Sequence, residues 1–150
     1  MNLSYRPVVP EDFEFLFRLH EAAMRGYVED TFGPWEEAFQ RDYFQRRFDP
    51  TGTRIIRYEE QEVGVVRLQE RTEETFLAAI EILPAYQRRG IGTAVMRALL
   101  EDADRQGKPV ALQVLKVNIP ARSLYQRLGF GVTGENATHY IMAYYPRMGE

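Results

Sequence analysis

The 150-residue chain has no cysteine, which rules out disulfides and thiolate metal sites. Histidine is nearly as scarce. His20 and His139 are the only two, so a histidine-rich metal centre is excluded and no metal site is expected. No apolar run reaches the roughly 18 residues of a membrane span, and the N-terminal MNLSYRPVVPED lacks a signal-peptide core. The expectation is a cytoplasmic protein with no membrane partner. A basic excess is missing too: the formal net charge is −3, which gives no electrostatic footing for nucleic acid. Repeats, low-complexity tracts and Ser/Gly-rich linkers are absent, so residues 1–150 read as one domain. What remains is ordinary globular material, 45% hydrophobic and 27% charged, long enough to bury a single sizeable core.

Periodicity divides the chain into alternating elements. Leu3 to Arg6 alternates as a short strand, and Pro10-Glu11-Asp12 leads into a helix with Phe13, Leu16, Phe17 and His20 at helical spacing. That helix is expected to fade near Gly26. An aromatic, acidic loop from Tyr27 to Trp35 then opens a second helix bearing Trp35, Phe39, Tyr43 and Phe44. Thr53–Tyr58 and Val63–Gln69 flank a polar turn as a hairpin, and a third strand runs from Thr75 to Leu83. Ile91 to Gln106 carries the clearest apolar stripe (Ile91, Ala94, Val95, Ala98, Leu99), with Gly107 placed for a left-handed cap. After a buried strand, Val110–Val117, Asn118 caps a short helix with Pro120 in its first turn and Gly129 at its end. Strands near Phe130–Gly134 and Thr138–Tyr145 complete the chain. Hairpins on both sides of a strand–helix–strand crossover make the class α+β.

The segment with the most chemistry is Ile80-Glu81-Ile82-Leu83-Pro84-Ala85-Tyr86-Gln87-Arg88-Arg89-Gly90-Ile91-Gly92-Thr93. A strand ends at a proline, the chain turns, and two glycines open a strong helix. The first N–H groups of that helix have no internal acceptors, and its dipole favours an anion there. Arg88, Arg89 and the Thr93 hydroxyl add donors. The segment is therefore a candidate pyrophosphate cradle. It is neither of two familiar phosphate motifs: Val95 stands where the dinucleotide fingerprint needs its third glycine, and no Gly-Lys-Ser/Thr of a P-loop follows. Taken alone, the same residues are equally compatible with a helix start flanked by solvated arginines.

Here the sequence resembles the GNAT superfamily of acyl-CoA-dependent N-acyltransferases. The family's Gln/Arg-x-x-Gly-x-Gly/Ala turn is matched by Gln87-Arg88-Arg89-Gly90-Ile91-Gly92, and a second block by Asn118 through Phe130. Both occur in the family's order, one on each side of the strand Val110–Val117. The resemblance implies a mixed, mostly antiparallel sheet of about seven strands with about four helices on its two faces. It implies acetyl-CoA as cosubstrate, with the backbone of Ile80 and Ile82 pairing with the pantetheine arm. The amides of Arg88, Arg89, Gly90, Ile91, Gly92 and Thr93 hold the pyrophosphate, with Gln87 opening the motif and Asn118 near the thiol end. The partner is a small-molecule or peptide amine, and a homodimer is left open.

The implied reaction needs a neutral amine, a stabilised oxyanion and a proton for the leaving thiolate. Without a cysteine to carry the acyl group, direct attack in a ternary complex is favoured. Tyr125 matches the family's general acid; its phenol, with a pKa of about 10, can donate to a thiolate whose ordinary pKa is about 8.5. On an isolated apolar helix face the same tyrosine would be core. The base is undetermined, because Gln113 stands where some relatives carry glutamate and an amide accepts no proton. Glu81, on the strand beside the thioester path, and Glu29, read as lying in the loop between the first two helices, are the catalytic alternatives. The competing readings are a solvated strand glutamate and a solvated helix start. His139 is read as a bystander. A non-catalytic acyl-CoA-binding module of the same fold is the rival reading of the whole chain.

Overall fold

The computed structural model describes residues 1–147. Their seven strands are ordered β1-β2-β3-β4-β5-β7-β6 in one sheet. In chain order they are β1 (Leu3–Pro7), β2 (Thr53–Tyr58), β3 (Gln61–Glu70), β4 (Thr75–Ile82), β5 (Val110–Leu115), β6 (Gly131–Glu135) and β7 (His139–Tyr144), with helices α1 (Phe13–Phe32), α2 (Glu37–Arg46), α3 (Ile91–Gln106) and α4 (Ile119–Arg127). The β4–β5 pair is parallel, whereas β1–β2, β2–β3, β5–β7 and β6–β7 are antiparallel. The expected mixed, mostly antiparallel α+β sheet with four helices is what forms. No helix among the described residues is long and apolar enough to cross a membrane.

Two compact units divide the chain, Met1–Arg67 with Ala79–Ile91 and Leu68–Ala78 with Gly92 onward. In the first, Val8, Leu16, Leu19, Ile55 and Val65 form a buried cluster, with Phe15, Phe44, Phe48 and Leu83 packed against it. Helix α1 supplies Leu16 and Leu19 to this core, of which only Leu16 belongs to the stripe read from the sequence, and the helix does not fade at Gly26. A mid-helix glycine costs about 1 kcal/mol. Flanking ion pairs support the helix: Arg25 bridges to Glu21 at 3.1 Å and to Glu29 at 3.6 Å, each one turn away. The stop comes at Gly33, whose φ of 100° takes it out of the helix just before Pro34. Glu29 therefore lies on α1, not in a loop. Trp35 likewise precedes α2 instead of belonging to it, because α2 starts only after an extended Glu36.

The hairpin β2–β3 turns on Glu59 and Glu60, both with positive φ (50° and 69°). That is the arrangement a two-residue hairpin needs, built from residues that resist it. Opposite the turn's end, the register slips between Ile56 and Arg57.

In the second unit, β4, α3 and β5 make the crossover, with Thr75–Leu77 laddered to Val110–Leu112. Val95, Met96, Leu100 and Ala103 carry the buried stripe of α3. Gly107 takes φ 65°, and the Lys108 N–H donates to the Ala103 carbonyl at 3.1 Å, so the helix closes with a Schellman cap as the sequence suggests. Helix α4 ends the same way. Gly129 sits at φ 104°, the Phe130 N–H donates to Tyr125 and the Gly129 N–H to Gln126. A methyl group at Gly129 would also come within 3.4 Å of the Tyr144 ring.

Candidate active site

The turn after β4 begins with a single 3-10 turn, Pro84–Tyr86, and then bends through Gln87 to the start of α3. Its path needs two left-handed residues, Arg88 at φ 65° and Gly90 at φ 82°. Glycine adopts this region freely, whereas an arginine there is held against a cost of about 1–2 kcal/mol. Successive amides in such a turn form a concave cluster of N–H donors suited to an anion. Arg88 and Arg89 are exposed, and the Arg89 guanidinium stands 5.1 Å from the Tyr86 ring centroid. Gln87 turns back, its amide donating to the Ile82 carbonyl at 2.9 Å. Gly92 is different: its φ lies outside the left-handed range, and a Cβ added there would meet nothing within 4 Å. Nothing in the chain itself requires glycine at 92.

Within the first unit, β4 also carries Glu81. Its side chain does not face solvent as an ordinary strand glutamate would. It is 12% exposed and lies 2.7 Å from His20 Nδ1 on α1. Burial pulls the imidazole's pKa down, but the hydrogen bond and charge of Glu81 outweigh burial, so it rests above its ordinary value. The His20 ring stands 5.4 Å from Phe44 and 6.1 Å from Trp35, centroid to centroid. Strand β3 approaches β4 here with no room for a side chain: a methyl group on Gly64 would lie 2.5 Å from the Glu81 carbonyl oxygen and 2.8 Å from Ile82 Cδ1.

Trp35 is 8% exposed, and its indole nitrogen has no hydrogen-bond partner among the described residues. Its backbone N–H donates to Glu29 Oε2 at 3.0 Å, and the other Glu29 oxygen faces Arg25. The carboxylate read as a loop acid thus anchors the segment that places the indole. Phe32, from the same aromatic stretch, is 64% exposed.

Within the second unit, Asn118 caps α4 as expected, its Oδ1 accepting from the Ala121 N–H at 3.3 Å. Tyr125 is buried on α4, with its ring 5.7 Å from Phe130. Gln113 is exposed on β5. His139 Nδ1 lies 2.8 Å from the Thr138 hydroxyl, and burial lowers its pKa. No group of three or more His, Asp or Glu side chains among the described residues could hold a metal.

The family model for the GNAT acetyltransferases matches residues 18–130, about three quarters of the chain. The chain belongs to the GNAT acetyltransferase family. Solved GNAT structures agree with the fold. The PaiA N-acetyltransferase of Thermoplasma acidophilum, in complex with coenzyme A, superposes with a TM-score of 0.77 at 16% identity, covering 97% of this chain and 99% of that one. The ribosomal-protein-S18-alanine N-acetyltransferase of Escherichia coli gives 0.69 at 18% identity, covering 99% and 97%. An acetyltransferase of Thermus thermophilus gives 0.73 at 21% identity, covering 97% of each chain.

Among the residues the GNAT resemblance singles out, Ile80 to Thr93 form one continuous strand–turn–helix segment, and Asn118 caps α4, the helix that carries Tyr125. His20 was missed as the partner of Glu81. Two signals pointed to it: a histidine on the apolar stripe Phe13–Leu16–Phe17, and a lone charge inside the strand Ala78-Ala79-Ile80-Glu81-Ile82. A buried charge calls for a partner.

Proposed function

We propose that this GNAT protein transfers the acetyl group of acetyl-CoA to a primary amine by direct attack in a ternary complex. The observation that carries the reading is Gly92. Neither its backbone angle nor its surroundings require glycine, yet it stands one residue into α3, where a bound phosphate would occupy the space of a Cβ. Arg88, Arg89, Gly90, Ile91 and Thr93 then hold the pyrophosphate, through backbone amides and the charge of the arginines. Ile80 and Ile82 pair with the pantetheine arm as an added strand would. Acetyl-CoA competes with the Gln87 amide for the Ile82 carbonyl. Asn118 spends its side-chain oxygen on the α4 cap and keeps its NH₂ for the cosubstrate. Tyr125 donates the proton to the departing thiolate.

The test has two arms. Calorimetry is expected to show acetyl-CoA binding to the wild type and little or none to folded Gly92→Glu, which adds bulk and negative charge at the phosphates; equal affinity would remove the cradle from this turn. A thiol-release assay against a panel of amines tests the transfer. A chain without cysteine adds no background to it.

A further inference from the structure

We infer that His20, oriented by Glu81, is the base that takes the proton from the attacking amine. The inference rests on the acetyltransferase reading above and supplies the group that Gln113 cannot.

The geometry points that way in three respects. First, the contact with Glu81 is made through Nδ1 at 2.7 Å, which fixes the tautomer with Nδ1 protonated and leaves the Nε2 lone pair as the acceptor. Second, Glu81 sits between Ile80 and Ile82, whose backbone the reading assigns to the pantetheine arm. Neighbouring Cα atoms are about 3.8 Å apart, so the strand that guides the arm also carries the carboxylate. Third, the buried indole N–H of Trp35, beside His20, lacks a partner among the described residues. A buried donor left unsatisfied is destabilising, and an acceptor molecule with an oxygen near its amine would relieve it.

Other elements bring little competing charge. Helix α2 presents Phe44 to the imidazole and the loop before it presents Trp35, over whose ring the Arg25 guanidinium stands 5.9 Å from the centroid. Glu81 is the one carboxylate facing the imidazole.

The step balances. The amine nitrogen bonds to the thioester carbonyl carbon and becomes cationic, hence far more acidic than the free ammonium. Its proton passes to Nε2, and the imidazolium is held by Glu81. The adduct collapses, the C–S bond breaks, and the thiolate takes its proton from Tyr125. Tyrosinate and imidazolium return to their starting states by exchange with solvent.

The experiment is the pH dependence of kcat at saturating acetyl-CoA and acceptor. The wild type is expected to lose activity on acidification along a limb that does not follow the acceptor's own pKa. Glu81→Gln should move that limb to lower pH, because the charged imidazole loses its partner. His20→Gln should abolish the limb and lower kcat about 10²–10⁴-fold, with acetyl-CoA affinity unchanged. A His20→Gln protein that keeps both rate and limb overturns the assignment.

A second route needs no substitution at His20. In His139→Gln, His20 is the only histidine left, and diethyl pyrocarbonate, reversed by hydroxylamine, should abolish turnover; full activity after complete modification also overturns the assignment. If the wild type binds acetyl-CoA but acetylates no amine, the acetyltransferase reading fails and this role with it. Activity that survives the loss of His20 rejects this role alone.

Discussion

The two units differ in how they handle difficult backbone. In the second, the left-handed residues that close α3 and α4 are Gly107 and Gly129. In the first, three left-handed positions fall on side-chain-bearing residues, Glu59, Glu60 and Arg88, and these are all such residues in the described chain. The first unit also buries a His–Glu pair and an unsatisfied indole N–H. In the second unit every left-handed residue described is a glycine. The first departs from local rules at Arg88, in the turn proposed to handle phosphate, and at the pair proposed to handle the proton, as expected where function is maintained at some cost in stability.

The comparison can be broken or sharpened by substitution, taken from the largest effect down. Tyr125→Phe should lower kcat about 10²–10⁴-fold while acetyl-CoA affinity holds; stopped-flow acetyl transfer reads this directly. Unchanged turnover, with chemistry limiting, would leave the second unit without a catalytic part. In the first unit, Gly64→Ala forces a methyl group against the Glu81 carbonyl. Overpacking of this kind costs about 1–3 kcal/mol, visible as a lower urea midpoint, and the shift should reach the His20 proton resonances. A fully stable variant would mean that β3 and β4 can separate freely.

Replacing Glu59 and Glu60 together by Asn and Gly gives the hairpin residues suited to positive φ and should stabilise the protein by about 1 kcal/mol or more. A neutral result would show that this turn stores no strain. The smallest effects are in pH. The folded pKa of His20 lies above its unfolded value, so its pair with Glu81 contributes fully below about pH 6.5 and fades as pH rises through the folded value. Asp12 behaves in reverse. Hydrogen bonds from Arg6 outweigh burial and lower its pKa, so its contribution is complete above about pH 3.9 and is lost as pH falls through the folded value. Glu81→Gln should flatten only the first of these in a series of thermal melts.

The same contrast explains what could be read from the sequence. Helix α3 was legible to its last residue, because an apolar stripe and a terminal glycine agree. Asn118 and Gly129 bracketed α4 for the same reason. Helix α1 ran past Gly26 because ion pairs around Arg25, which periodicity does not register, offset the glycine. Glu29 and Trp35 were misplaced in consequence. The cradle was visible as a motif, since its parts are adjacent in sequence. The His20–Glu81 pair was not, because 61 positions separate its members and only the fold joins them. What sequence did offer was each residue's oddness in its own apolar surroundings.

Gly64 carries no functional group, yet its missing methyl lets β3 lie against the Glu81 carbonyl. In a saturation scan scored by acetyl transfer, position 64 would rank with the chemical residues, and an investigator sorting hits by side-chain chemistry would discard it. Efforts to widen the acceptor range should therefore leave β3 as it stands.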